Sequence, residues 1–192
     1  MLERVIAVIG PPAAGKTTLT TQFGQLPGVR VFRLPEHVPD RVLTAATIAT
    51  RLGWVDNFTA ITSVHGYIEA VVRENEVHTL LLDDFPGTGT QVNLFLSVLG
   101  QLSSNCTISA VELIAHPTVL QYRASTRRCR DEPVAVYKAR MRRYREMANG
   151  VRWAFVSAGI TLQRLDSSRS LADMIQELAA LIACHKAAKD VS

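Results

Sequence analysis

The chain has 192 residues, 47% of them apolar and 20% charged, with a net charge of +4, which is enough for one domain around a buried core and excludes a disordered, polar tail. Its three cysteines, Cys106, Cys129 and Cys184, have neither zinc-site spacing nor the even count of a disulfide framework, so a reducing compartment, the cytoplasm, is the expected setting. No apolar run reaches the roughly eighteen residues of a membrane span, and a nucleotide is anion enough for the modest positive charge.

Met1-Leu2-Glu3-Arg4 runs straight into Val5-Ile6-Ala7-Val8-Ile9, leaving no room for a leader peptide and reading as a buried strand. Gly10-Pro11-Pro12-Ala13-Ala14-Gly15-Lys16-Thr17-Thr18 follows and fits G-x-x-x-x-G-K-[ST]. Such a loop turns backbone N–H groups inward on a polyphosphate, and the next helix aims its positive end at the same anion. Lys16 would reach the β- and γ-phosphates of ATP, and the Thr17 hydroxyl would sit on Mg2+.

The run 28–34 has strand character and stops at Pro35. Pro39 opens a helix carrying Val42, Leu43, Ala46, Ile48 and Leu52, which ends at Gly53. A second helical pattern covers Thr59 to Asn75, with Ile61, Val64, Ile68, Val71 and Val72 on one face. Two helices exceed what one crossover needs, so residues 36–75 are expected to form a small flap. Val77 to Asp84 reads as a central strand closed by carboxylates, and Thr90 to Leu102 as a helix. Ile108 to Ala115 forms the fourth strand, broken by His116-Pro117. A short helix carries Val119, Leu120 and Arg123, and a longer one runs from Pro133 to about Ala148. Ile160 to Leu165 is the fifth strand, and a last helix starts near Ser170. Five strands alternating with helices predict a doubly wound α/β domain with a five-stranded parallel sheet, which collects ligands at its strand C-termini.

Asp83-Asp84-Phe85-Pro86-Gly87-Thr88-Gly89-Thr90-Gln91 resembles the D-G-F-P-R-T-x-x-Q motif of the adenylate kinases and related nucleoside monophosphate kinases. Pro12 matches the loop proline of that family, and Gly53-Trp54-Val55-Asp56 is similar to the turn of its monophosphate-binding flap. Arg123 and Arg127 stand where the family has arginines that stack on the ATP base and contact phosphates. Asp131-Glu132, with Arg140 and Tyr144, resembles the end of the lid, here shortened to about residues 127–132. The resemblance implies a P-loop kinase of one domain, with ATP and Mg2+ as cofactors and a small-molecule acceptor. It places Thr17 and Asp83 at the metal, and Arg123, Arg127, Arg130 and Arg140 around the transferring phosphoryl group. Charge spread over three equatorial oxygens calls for such cations.

The acceptor half departs from that pattern. Gly87 replaces the arginine that grips the acceptor phosphate, and Leu34-Pro35-Glu36-His37 stands in place of S-T-G-D. Two acceptors fit. A nucleoside monophosphate would need Arg41 or Arg33 as substitute clamp, with Asp84 and Gly87 nearby and Gln91 on the base. An alcohol would need a base, with Glu36 the first candidate and Asp84 the next. Outside catalysis, a nucleotide-binding regulatory protein accounts for the short lid. A nucleic-acid module accounts for the arginines, but it lacks stacking aromatics or an RNA motif.

Overall fold

In the computed structural model, residues 1–50, 55–74, 76–103, 105–128 and 134–187 are described, without the side chains of 46–50, 127–128 and 181–187. The elements are β1 (Arg4–Ile9), α1 (Lys16–Phe23), β2 (Val29–Arg33), a 3-10 turn (Leu34–His37), α2 (Asp40–Thr50), α3 (Asn57–Arg73), β3 (Thr79–Asp83), α4 (Gly89–Leu102), β4 (Thr107–Ile114), α5 (Pro117–Arg128), α6 (Val134–Ser157), β5 (Leu162–Asp166) and α7 (Leu171–Ala187). The five strands pair in parallel in the order β2-β3-β1-β4-β5, the predicted α/β layout.

Both faces of the sheet are covered, and β1 shows why its apolar run is continuous. Val5, Ala7 and Ile9 enter the core under α3, α4 and α6, while Ile6 and Val8 enter the core under α1, α5 and α7. Alternate residues feed opposite layers, so no position from Val5 to Ile9 faces water. Val8 pairs with Asp83 and Ile9 with Glu112, which sets carboxylates from both neighbouring strands beside the loop that leaves β1. That loop passes close to β4: a Cβ on Gly10, whose φ is 146°, would lie 2.7 Å from the Leu113 carbonyl oxygen.

Most elements fall within two residues of expectation, and the differences have local causes. α3 starts early because Asp56 caps it, accepting from Thr59 N at 2.9 Å, and its Ala60, Val64, Ile68 and Val71 belong to the main core. α6 runs nine residues beyond the predicted stop at Ala148. Gly150 lies inside α6, and its backbone packs on Gly89 at the start of α4. A Cβ on Gly89 would meet the Gly150 carbonyl oxygen at 2.8 Å. Close helix approach accounts for Gly89, whereas a Cβ on Gly150 would meet nothing within 4 Å; the true end of the helix is marked by Gly159 at φ 72°. The extension buries Val151, Ala154 and Phe155. Among the described residues no helix is long and apolar enough to cross a membrane.

Candidate active site

The loop between β1 and α1 closes around its own lysine. Lys16, 7% exposed, donates through Nζ to the carbonyl oxygens of Gly10 at 2.7 Å and Pro11 at 2.9 Å, and stands 3.3 Å from Asp84 Oδ1. A buried ammonium requires this shell of oxygens. Ala13 holds a left-handed φ of 66°, the conformation that glycine would adopt without a Cβ penalty. Thr17 and Thr18 begin α1 on the exposed side.

Asp83 and Asp84 are consecutive yet differently placed. Asp83 ends β3, buried, with Oδ2 accepting from Thr20 Oγ1 and Arg33 Nε, both at 3.0 Å. Its Oδ1 is also buried and has no hydrogen-bond partner. Asp84 leaves the strand at φ 59°, a conformation that Asp tolerates better than most residues, and its half-exposed carboxylate meets Lys16.

A cavity of about 210 Å³ opens beside this pair. Its floor is Ile9, Gly10 and the segment from Asp83 to Gly87, and its walls include Leu34, Val55, Met147 and Val151. Gln91, Glu112, Arg140 and Tyr144 also reach it. Gln91 is buried and accepts from Gly87 N through Oε1 at 2.8 Å. That amide oxygen therefore shapes the loop after Asp84.

Glu112 is 1% exposed on β4, on the face covered by α6. Tyr144 Oη donates to its Oε1 at 2.9 Å, and Arg152 Nε reaches Oε1 and Oε2 at 2.9 and 3.1 Å. Arg164 Nε adds a looser contact at 3.6 Å. Burial, the largest influence, acts to raise the Glu112 pKa. Hydrogen bonds from Arg152 and Tyr144, with the charges of Arg152 and Arg164, outweigh it and hold the carboxyl below its usual range. Burial and then the Glu112 charge push the Tyr144 phenol up, so at neutral pH it stays a donor. The hydrogen bond to Glu112, ahead of their charge attraction, raises the Arg152 guanidinium.

Several predicted site residues lie elsewhere. Glu36 is exposed, 3.4 Å from Arg33 Nη1, and does not line the cavity. Arg33 is committed to Asp83 and to Thr21 Oγ1 at 2.8 Å, and exposed Arg41 is likewise absent from the cavity lining; neither stands in for the missing clamp. Arg123 Nη2 donates to the Ser167 carbonyl at 2.6 Å, tying α5 to the loop after β5. Arg140 does line the cavity. The side chain of Arg127 and all of Cys129, Arg130, Asp131, Glu132, Gly53 and Trp54 lie outside the described residues. His37 stacks on Phe32 with centroids 5.0 Å apart, and burial lowers its pKa more than Glu36 raises it. It is a packing residue, neutral at pH 7.

The fold has counterparts among solved structures. The chain is similar to a gluconokinase from Sinorhizobium meliloti 1021, with a TM-score of 0.64 at 11% identity over 100% of this chain and 98% of that one. It is also similar to an unliganded sugar kinase from Janibacter sp. HTCC2649, with a TM-score of 0.61 at 13% identity over 95% of each chain. The chain has the P-loop kinase fold. Neither a family model nor a curated protein matches it.

Within that P-loop kinase fold, Glu112 and Arg152 are the residues that sequence reasoning missed. Glu112 is embedded in the apolar run of β4, where a lone carboxylate was itself the signal, because a buried Glu requires a partner. The Mg2+ expected from the loop can be tested against the donor set. Among the described residues no cluster of three His, Cys, Asp or Glu side chains would hold a metal by itself. The orphaned Oδ1 of Asp83 and the exposed Thr17 fit a Mg2+ that takes its remaining oxygens from phosphate and water.

Proposed function

We propose that the protein is an ATP-dependent phosphotransferase whose acceptor presents a hydroxyl. The carrying observation is the 3.3 Å contact between Lys16 Nζ and Asp84 Oδ1 at the rim of the cavity. It joins a phosphate cradle to a carboxylate that reaches the acceptor space. Thr17 and Asp83 would hold Mg2+ with the phosphates, and the metal, when bound, neutralises charge on the phosphoryl oxygens. Lys16 exchanges its partner Asp84 for phosphate oxygens, and Asp84 is thereby freed to accept the hydroxyl proton. The acceptor oxygen bonds to the γ-phosphorus as the bond to the bridging oxygen breaks. ADP leaves with that electron pair, and Arg140 faces the charge in transit.

Two observations support the hydroxyl over a monophosphate acceptor. A monophosphate needs a bidentate cation, yet position 87 is glycine, Arg33 is occupied, Arg41 lies outside the cavity lining, and Arg140, the arginine that does line it, is assigned here to the transferring phosphoryl group. An alcohol needs a base, and Asp84 supplies one where Glu36 does not reach. Single-turnover transfer from Mg·ATP to an alcohol, compared between wild type and Asp84→Asn, tests the assignment. The variant keeps a residue type that accepts positive φ, so its chemical step should fall by about 10²- to 10⁴-fold with the fold intact. An unchanged step would remove Asp84 as the base.

A further inference from the structure

Resting on that phosphotransfer reading, we infer that Tyr144 is a positioning residue: its hydrogen bond to Glu112 fixes the part of α6 that carries Arg140, and so sets where that guanidinium stands relative to the phosphate loop. Glu112 pairs in register with Ile9, the last residue of β1 before Gly10, and the Gly10 carbonyl oxygen accepts from Lys16 at 2.7 Å. The Tyr144 hydroxyl donates to Glu112 Oε1 at 2.9 Å. Arg140 precedes Tyr144 by about one helical turn, and both line the acceptor cavity. One hydrogen bond therefore links the strands that launch the donor loop to the helix face that turns a cation toward the transferring group. With Glu112 ionised, the bond is charge-assisted and stronger than a neutral one.

The packing of α6 explains why this bond matters. The buried residues of the helix are Ala148, Val151, Ala154 and Phe155, all in its second half, and among the described residues none from Val134 to Met147 is buried. In the first half Met141 packs partly against the core under α1, α5 and α7. Tyr144 lines a second cavity of about 440 Å³ as well as the acceptor cavity, so its ring has room on two sides and its hydroxyl provides the anchor. Arg152, in the packed half, grips Glu112 through Nε and also reaches the Tyr144 hydroxyl at 3.3 Å. Removing that hydroxyl therefore leaves Glu112 paired with Arg152 while it loosens the turn that bears Arg140.

The γ-phosphoryl group is present in ATP and absent from ADP, so calorimetric titrations with Mg·ATP and with Mg·ADP provide the test and need no identified acceptor. Arg140→Ala should weaken Mg·ATP by about tenfold, the loss expected for one charge-assisted hydrogen bond, and leave Mg·ADP within about twofold of wild type. Tyr144→Phe, with its circular dichroism unchanged, should weaken Mg·ATP by about three- to tenfold and again spare Mg·ADP. The double variant should bind Mg·ATP no more weakly than Arg140→Ala alone, because the hydroxyl acts through the arginine. A merely structural Tyr144 would weaken both nucleotides alike and add its effect to that of Arg140→Ala. Either of those results overturns the inference, as does wild-type Mg·ATP affinity in Tyr144→Phe or in Arg140→Ala. In each such case, wild-type Mg·ATP binding that Lys16→Ala abolishes leaves the phosphotransfer reading standing. Wild-type protein that does not bind Mg·ATP brings down that reading itself.

Discussion

On the donor side of the cleft, the loop holds its own Lys16 with the carbonyl oxygens of Gly10 and Pro11, so backbone geometry sets the cradle. On the acceptor side, the walls come from the 3-10 turn, Val55 and the middle of α6, and side chains decide what fits. The difference lies in how each half tolerates change. A backbone cradle persists through many substitutions, because only its glycines and its lysine are constrained. A side-chain pocket changes its ligand with one or two exchanges. The same fold can therefore keep its donor while its acceptor diverges.

The largest effects should come from residues where the halves meet. Asp84→Asn is expected to lower the chemical step by about 10²- to 10⁴-fold in single-turnover assays. Lys16→Ala should lower kcat/KM for Mg·ATP by at least about 10²- to 10³-fold, with far-UV circular dichroism unchanged. If Asp84→Asn raised KM without touching the chemical step, Asp84 would belong to recognition instead, and the division between halves would have to be redrawn.

The next effect separates support from chemistry. Glu112→Gln leaves Arg152 without its buried counter-charge and should cost about 3–5 kcal/mol of stability, read by urea unfolding. It also carries a pH signature. The Glu112 pKa is depressed below its ordinary 4.5 in the folded protein, so the unfolded chain binds the proton more readily. The stabilisation is complete above pH 4.5 and is lost as pH falls through the lower folded value. Acid unfolding of Glu112→Gln should therefore be shallower than that of wild type. Identical slopes would show that Glu112 does not drive acid sensitivity.

Smaller still are the two glycines at the crossing of α4 and α6. Gly89→Ala places a Cβ 2.8 Å from the Gly150 carbonyl oxygen and should destabilise by about 1–3 kcal/mol. Gly150→Ala meets nothing within 4 Å and should stabilise α6 by roughly 0.5–1 kcal/mol. Equal effects on thermal midpoints would refute the close-approach explanation for Gly89. Least of all, Glu36→Gln removes one exposed ion pair and should change turnover by less than about twofold.

The donor half was legible in the sequence because its signal is contiguous. Strand, loop and helix follow one another, and Asp83 closes the next apolar run. The order of elements followed from alternating periodicity for the same reason. The acceptor half was not legible, because its residues converge only through packing. Glu36 stood at the right place in the chain, but its side chain points to solvent and to Arg33. Gln91 lines the cavity as expected, but its oxygen also holds Gly87 N, a bond the sequence did not reveal. The long helix was expected to end at about Ala148, short of Arg152 and its bond to Glu112. The bond of Arg152 to Glu112 spans forty residues and no local pattern encodes it, whereas the contacts of Gln91 with Gly87 and of Glu36 with Arg33 are short-range and depend on how the loops turn.

The central claim is that residues 10–18, with Asp83 beside them, bind the triphosphate of Mg·ATP. Isothermal titration of the wild type with Mg·ATP, repeated with Lys16→Ala and with Asp83→Asn, measures it directly. Saturable binding by the wild type, abolished by the first variant and dependent on magnesium only while Asp83 is intact, is the predicted result. No heat of binding in the wild type, or equal affinity in all three proteins, would contradict it.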